Sequence, residues 1–392
     1  MRGHGTQLAR PQSNSESEFE FPTVNLAHYL YDVSEDAFLE QASHPIALAI
    51  VKSAMFSRLR KIRFLGAIDY LFQPNGQKGN IRHTRFDHTL GVGYLAYIAG
   101  NLMNLTHDEL GIAISAALLH DIGHGPLSHS AEPAFKKLFS IDHHSATLDI
   151  VYGRAPYGPE VSDILRRHSI RPNDIEAAIS GTLDSDVGRL FSSPINLDTI
   201  EGISRTYSYV NQAPVYPPPH KVVQALVCGG PSATQTLDSF WELKDSVYRT
   251  FIHNSTCYAA DLLCQNYLLQ NASSFARDDF ALGEDGLMKK HRHLFAQLRY
   301  YRIHKLAALR KIFSHSDLKF EITRRSYFVD RSNDYRGFGT EAKRYKHQKW
   351  KKQISLDGLI PMDTLELLAA PDGDLPFDDD HFSQYRARPI IL

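Results

Sequence analysis

Residues 117–132 read ALLHDIGHGPLSHSAE, and an earlier stretch, residues 82–96, reads RHTRFDHTLGVGYLA. In the later stretch His120 and Asp121 are adjacent at the end of an apolar segment, just before Gly123. Neighbouring residues on a regular helix point about 100° apart, so these two can share a ligand only if the helix ends there. The glycines after the pair predict that end.

Histidine and aspartate side chains near this helix end predict a metal site. His88 belongs to the earlier stretch and would approach from a neighbouring helix. One further aspartate would complete a mixed imidazole and carboxylate set, which suits a divalent ion such as Mn, Fe, Mg, Ni or Zn. A lone His-Asp pair is more often an ordinary helix terminus, but His88 upstream and Gly-His-Gly-Pro downstream favour the metal site.

Apolar residues at three- and four-residue spacing predict helices along most of the chain. Leu110–His120 is apolar nearly all round and is expected to be a buried central helix; Ile46–Leu59 and Thr236–Leu269 are predicted as further helices. Strand patterns occur only late, where Leu318–Thr323 and Ser326–Val329 suggest a small hairpin. The predicted fold class is all-α, a helical core with a C-terminal, partly α+β extension.

Composition divides the chain into four parts and excludes several classes of protein. We expect a disordered leader at 1–22, a helical domain at 23–275, a basic subdomain at 276–370 and an acidic tail at 371–392. No apolar run is long enough to cross a membrane. Three scattered cysteines argue against a disulfide framework and predict a cytoplasmic or other reducing compartment.

The basic segment Lys289–Lys352 carries nineteen Lys and Arg against five Asp and Glu, although the whole chain has a net charge of −1. Such an asymmetry raises the hypothesis that the segment binds a nucleic acid or a polyphosphate. The alternative is a solvated face whose charges pair with the acidic body, which we favour because no nucleic-acid-binding motif accompanies the charge.

The two histidine stretches, together with FSRLRKIRFLGAIDYLFQPNG at residues 56–76, resemble the HD-domain phosphohydrolase superfamily. The resemblance is greatest to the branch of the vertebrate sterile-alpha-motif/HD dNTP triphosphohydrolase and the bacterial dGTPases, without the sterile-alpha-motif domain. It runs from about Phe56 to Leu269. It implies an all-helical HD core, a homo-oligomer, and hydrolysis of nucleoside triphosphates at the α-phosphate to nucleoside and triphosphate.

Matched to this family, the chain offers a set of metal ligands and a set of catalytic residues. The ligands fall on His88, His120, Asp121 and Asp198, with Asp184 and Asp186 as weaker rivals for the last position. The catalytic residues fall on Arg85, His124, His129, Glu132 and His143. In this assignment Arg85 binds the substrate phosphates, Glu132 orients His129, and His143 rather than His144 protonates the leaving group.

The pocket candidates depart from the family pattern. They are Phe64, Leu65, Gly202, Arg205, Thr206 and Phe251. Phe64, Gly202 and Thr206 stand where the dNTP-hydrolysing relatives carry Gln, Tyr and Asp that read the deoxyribose. A site that hydrogen-bonds a hydroxyl discriminates strongly, so their loss predicts altered or relaxed substrate choice. The equal alternative is that the alignment is shifted by a few residues and that other side chains recognise the sugar.

The sequence is consistent with three alternative functions. The first is a metal-dependent triphosphohydrolase of (deoxy)nucleoside triphosphates. The second is an HD phosphodiesterase or phosphatase that acts on a different nucleotide or phosphate ester. The third is a nucleic-acid-binding or regulatory protein that uses the basic segment.

Overall fold

The computed structural model describes residues 34–71, 83–211, 213–230, 232–312, 319–339 and 341–355, with the backbone alone at 303–312, 319–321 and 354–355. The leader predicted at 1–22 and the acidic tail predicted at 371–392 lie outside the described residues. The division at residue 275 stays a prediction.

Helices dominate the described residues, which confirms the predicted fold class. The α-helices are α1 Glu35–Ala42, α2 Pro45–Val51, α3 Ala54–Ser57, α4 Arg85–Leu102, α5 His107–Leu119, α6 Ser128–Phe139, α7 His143–Val151, α8 Glu160–Arg167, α9 Pro172–Ile179, α10 Asp186–Ser192, α11 Leu197–Asn211, α12 Pro219–Cys228, α13 Ala233–Val247, α14 Ser255–Gln270, α15 Glu284–Lys290, α16 Arg292–Ile312 and α17 Glu341–Arg344. Short 3₁₀ turns span Arg58–Lys61, Gly66–Tyr70, Ala272–Ser274 and Arg277–Ala281, and a π turn spans Tyr248–Ile252.

The central helices α4 and α5 pack against each other and are buried over most of their length. Both begin with a capping box, in which a threonine and the acidic residue three positions later satisfy backbone N–H groups reciprocally. Gly93 lets the two helices approach closely, since a Cβ there would come within 2.7 Å of Leu118. Helices α11 and α12 cover the other side of α4. The first residues of α4 and the last of α5 therefore lie inside the protein.

Two predicted helices are interrupted. Ile46–Leu59 is divided into α2, α3 and a 3₁₀ turn, because the Ser53 side chain caps a new helix. Thr236–Leu269 is two helices, since the chain passes through the π turn and then restarts at the Asn254 N-cap. The apolar periodicity continues across both breaks, and the N-caps that start the second helices are single polar residues.

The C-terminal extension contains a two-stranded antiparallel sheet of β1 Lys319–Val329 and β2 Tyr345–Ser355. The predicted hairpin was wrong in its pairing: its two segments form one strand, and the partner strand follows after α17. The indole of Trp241 on α13 packs edge-on against Tyr327 and donates to backbone carbonyls of both strands. This contact attaches the sheet to the helical core. No helix among the described residues is long and apolar enough to span a membrane.

Candidate metal centre and pocket

The turn after α5 presents His120 and Asp121 to the interior. The Gly123 amide donates to the Thr147 hydroxyl at 3.0 Å, and that hydroxyl donates to the His120 carbonyl at 3.3 Å. A Cβ at Gly123 would lie 2.3 Å from backbone atoms of His143 and Thr147. Only glycine therefore allows α7 to approach and hold this turn, which accounts physically for the helix end expected from the sequence.

Four of the predicted ligands converge. Nε2 of His88 lies 3.5 Å from Oδ2 of Asp121 and 3.1 Å from Oδ1 of Asp198, and Nε2 of His120 lies 3.6 Å from the same two oxygens. The histidines are almost fully buried, whereas the side chain of Asp198 is 52% exposed and opens the cluster to solvent. The rival Asp186 instead pairs with Arg189 at the surface.

The outer nitrogens of both histidines are already engaged. Nδ1 of His88 lies 2.5 Å from Oε2 of Glu201, and Nδ1 of His120 lies 2.7 Å from the Ala117 carbonyl. With hydrogens on the Nδ1 atoms, the two Nε2 lone pairs face the aspartates, and neither buried Nε2 has a hydrogen-bond partner among the described residues. Metal-bound histidines normally have this arrangement. The residues present therefore fit a divalent ion.

The charges around the two histidines also favour a cation at this cluster. Burial lowers the pKa of His120, but the carboxylates of Asp121 and Asp198 outweigh that effect and raise it to about 9. Burial likewise opposes protonation of His88, and Glu201 and Asp198 reverse the direction. Positive charge is thus favoured where these groups meet, and a cation would compete with protons for the same place.

Glu201 was not anticipated from the sequence. It is fully buried on α11, and its Oε1 also pairs with the buried Arg205 guanidinium at 2.6 Å. A Cβ at Gly91 would lie 2.4 Å from that carboxylate, so a glycine on α4 makes room for it. The available signal was the spacing of Asp198, Glu201 and Arg205, which are three and four residues apart on one helix.

Arg85 lies at the edge of the metal cluster. Its Nη1 donates to Oδ2 of Asp121 at 2.6 Å, and its Nε donates to the Ser128 hydroxyl at 3.0 Å. Its guanidinium also lies 4.9 Å above the Phe64 ring. Only 3% of Arg85 is exposed. The side chain is held in one orientation, with part of it lining the cavity described below.

Three further predicted residues form a histidine cluster beside Asp121. His124 and His143 stack with ring centroids 4.2 Å apart, and His129 meets both rings edge-on. Oδ1 of Asp121 lies 3.4 Å from Nε2 of His124. Burial and the nearby Arg85 hold the pKa of His124 well below its usual value, so this ring is neutral.

The partner of Glu132 differs from the prediction. Its Oε2 accepts a hydrogen bond from Nδ1 of His143 at 2.5 Å, so the carboxylate orients His143 rather than His129. The start of α7 brings the His143 ring over Glu132, a contact that the three-residue spacing of His129 and Glu132 could not show. His143 is buried in the cluster, whereas the neighbouring His144 is exposed.

A cavity of about 280 Å³ opens beside Asp198 and Arg85. Four of the six predicted pocket residues line it: Phe64, Leu65, Gly202 and Thr206. Two do not. Arg205 is buried against Glu201, and Phe251 packs against Cys257 and Ile68 without lining the cavity itself.

Lys244 and Asp261 also line the cavity and were not anticipated from the sequence. The Lys244 ammonium lies 4.5 Å above the Trp241 ring and 4.6 Å above the Tyr327 ring. Burial lowers its pKa to about 7. The two residues come from α13 and α14, far along the chain from the histidine stretches, and no local pattern connects them to the site.

Comparison with known proteins agrees with this geometry. The HD domain family matches residues 85–187. The Bacillus subtilis protein YwfO, itself uncharacterized, is 32% identical over 167 residues, and the deoxynucleoside triphosphate triphosphohydrolase SAMHD1 of Xenopus laevis is 31% identical over 172 residues. These matches cover 41% and 39% of this chain, but only 35% and 26% of the two relatives.

Solved structures resemble the chain over a greater length. A hypothetical protein from Aquifex aeolicus aligns over 80% of this chain and 92% of its own, with a TM-score of 0.57 and 16% identity. A phosphohydrolase from Bacteroides thetaiotaomicron aligns over 79% of this chain and 94% of its own, with a TM-score of 0.56 and 14% identity. At these identities the likeness shows a shared fold.

Proposed function

The chain is a relative of the HD phosphohydrolases and carries its HD domain at residues 85–187, and on that premise we propose that it hydrolyses phosphate esters with a bound divalent metal ion. The observation that carries the proposal is the pair of buried Nε2 atoms, from His88 and His120, that face two carboxylates while both Nδ1 atoms are engaged elsewhere. The ligands are His88, His120, Asp121 and Asp198.

An ion such as Mn, Fe, Mg, Ni or Zn would acidify a water molecule and polarise a phosphoryl group. Arg85 and Lys244 supply positive charge at the cavity wall, where phosphate oxygens would bind. Nδ1 of His143 is held by Glu132, so its Nε2 is the atom that would carry a proton to the leaving group. Neutral His124 beside it does not add a like charge that would oppose this protonation.

The substrate we propose is a (deoxy)nucleoside triphosphate, cleaved at the α-phosphate to nucleoside and triphosphate. Support comes from the relative SAMHD1, which is a deoxynucleoside triphosphate triphosphohydrolase. Homo-oligomerisation and a cytoplasmic location stay predictions from the sequence.

A different phosphate ester is the second candidate, and the cavity wall favours it. The Thr206 hydroxyl donates to the Gly202 carbonyl at 2.7 Å, so its hydrogen is already used within the helix and is not offered to a substrate. Gly202 has no side chain, and Phe64 offers only an aromatic ring. The three positions expected to read a deoxyribose therefore offer little that could hydrogen-bond to its hydroxyls. An HD phosphodiesterase or phosphatase with another specificity would have the same metal site.

Nucleic-acid binding is the third candidate. On β2 the residues Lys349, Trp350, Lys351 and Lys352 are exposed, and Trp350 shares one face of the strand with Lys352. Lysines interleaved with an exposed aromatic ring suit a single-stranded nucleic acid. This binding would weaken steeply as the salt concentration rises.

The test is incubation of metal-loaded protein with a panel of nucleotides, with products identified by mass. Nucleoside plus intact triphosphate is the expected result, and release of monophosphate would refute cleavage at the α-phosphate. The paired change His120→Ala with Asp121→Ala should abolish turnover of every ester.

The chain also offers a matched control, because His107 and Asp108 form a second, exposed His-Asp pair at the start of α5. The paired change His107→Ala with Asp108→Ala should leave turnover intact. Equal activity in the two double variants would refute the proposed site.

A further inference from the structure

Asp261 on α14 lines the same cavity as Arg85 and Asp198, and none of the metal-site or phosphate-binding roles above uses it. Its Oδ1 accepts a hydrogen bond from the Ser130 hydroxyl at 2.6 Å. The Ser130 oxygen in turn accepts a hydrogen bond from the Ala67 amide at 2.9 Å, so the hydroxyl hydrogen is the one donated to Asp261. The carboxyl is therefore held in one orientation at the wall.

No basic side chain neutralises this carboxyl among the residues that the structure describes. Ser130 is its only hydrogen-bond partner there, and the second oxygen, Oδ2, has none. Burial raises the pKa of Asp261 to about 7. Asp261 is half-buried, and a carboxyl removed from water without a cation or further donors is costly to the folded protein. If the hydrogen bond from Ser130 served only to hold α14 against α6, asparagine at position 261 could accept it equally well without the cost of burying a carboxyl.

The rest of the wall shows what Asp261 can contribute. Leu65, Ile68 and Ile252 are apolar, whereas Arg85 and Lys244 provide positive charge suited to phosphate. A hydrogen-bond donor at Oδ2 would stabilise the ionised form of Asp261. That form repels phosphate, so Asp261 suits the uncharged part of an ester. Pockets of this kind are mostly apolar, with a few polar groups that fix orientation and specificity.

We propose that Asp261 is a specificity residue that recognises the organic part of the substrate by accepting a hydrogen bond at Oδ2 from a neutral donor, a sugar hydroxyl or a base amine. This inference rests on the proposed phosphate-ester hydrolysis and names a residue that would bind the sugar or the base. A buried site that pairs with such a donor discriminates against ligands that lack it, because its own polar group is then left unpaired.

The experiment measures binding of unphosphorylated nucleosides to the metal-loaded full chain by calorimetry. Nucleosides have no ester bond to hydrolyse, so the result does not depend on turnover. The probes are 2′-deoxyadenosine and three nucleosides that each differ from it in one group: adenosine adds the 2′-hydroxyl, 2′,3′-dideoxyadenosine lacks the 3′-hydroxyl, and 2′-deoxynebularine lacks the 6-amine. Inorganic triphosphate is the control ligand for the phosphate-binding part of the cavity.

Asp261→Asn keeps the size and the Ser130 contact but presents N–H groups in place of the Oδ2 acceptor. We expect it to weaken binding of the donor-bearing nucleoside about 10- to 100-fold. Inorganic triphosphate should change by less than about two-fold, and so should the nucleoside that lacks the relevant donor. The smaller Asp261→Ser is a second variant, and Asp163→Asn, at an exposed pair with Arg166, is the matched control.

Three results would overturn the inference: equal weakening of nucleosides and triphosphate, no weakening of any ligand, or no binding of any nucleoside to the wild-type protein at about 10 mM. Failure of the proposed function is a separate result, namely no hydrolysis of any phosphate ester by the metal-loaded wild type. The two failures are distinguishable because one is read from nucleoside binding and the other from products.

Discussion

Glu201→Gln tests how the protein prepares His88 for a metal ion. Oε2 of Glu201 accepts from Nδ1 of His88 at 2.5 Å, while Oε1 accepts from Arg205 at 2.6 Å. Glutamine has one oxygen and one NH₂ group, so it can accept from only one of them. If its NH₂ faces His88, the imidazole must carry its hydrogen on Nε2, where the metal needs a lone pair.

The magnitudes follow from burial. Glu201 is fully buried and Arg205 is 2% exposed, so the substitution leaves a buried guanidinium without its counter-charge. Breaking a buried ion pair from one side costs about 3 kcal/mol, which lowers Tm by about 6–12 °C. Loss of the group that orients a metal-binding histidine weakens metal binding about 10- to 100-fold.

The assay combines thermal unfolding with metal affinity, measured by competition with a chromophoric chelator. The control is Glu109→Gln, since Glu109 is exposed in the capping box of α5, where glutamine also serves. It should leave Tm and metal affinity nearly unchanged. If Glu201→Gln lowers Tm but binds metal as tightly as the wild type, Glu201 is only a structural partner of Arg205 and the reasoning is refuted.

Lys244→Met keeps the packing of the side-chain stem and removes a buried charge, so Tm should rise or stay level. The value of kcat/KM should fall about 10- to 100-fold, because a charged contact to phosphate is lost. An unchanged kcat/KM would show that Lys244 does not bind phosphate. Gly123→Ala should cost at least about 3 kcal/mol in urea unfolding, because its Cβ overlaps backbone atoms. Gly202→Ala, whose Cβ meets only ordinary contacts, should gain about 0.5–1 kcal/mol; similar effects of the two alanines would contradict the packing. Burial raises the pKa of Asp261 to about 7, so the folded wild type loses stability as pH rises towards 7. Asp261→Asn should therefore gain Tm over the wild type from about pH 4 to pH 7, and a pH-independent difference would refute the shifted pKa.

The helical core and the place of the histidines could be predicted from the sequence because both depend on local signals. The apolar run before His120 indicates a buried helix, and the glycine after Asp121 indicates where it ends. His88 follows the same logic, since it lies in the first turn of a helix that begins with a capping box. These features need only a few neighbouring residues to be recognised.

The cavity could not be predicted in the same way, because its wall combines distant helices. Lys244 and Asp261 reach the wall only after α13 and α14 pack beside α11 and α6, and neither is part of a motif. Arg205 was expected in the pocket from its position after Asp198, but the buried Glu201 pairs with it instead. Phe251 was also expected in the pocket, but it lies in the π turn and packs against Ile68 and Cys257.

The central claim is that the cluster of His88, His120, Asp121 and Asp198 holds the ion on which phosphate-ester hydrolysis depends. The most direct measurement titrates a divalent metal into metal-stripped protein and records bound metal and product release on the same samples. We predict that turnover rises in proportion to bound metal and saturates at about one ion per chain, and that the His120→Ala/Asp121→Ala protein shows neither binding nor turnover. Full turnover by the metal-stripped protein, or by that double variant, would contradict the claim.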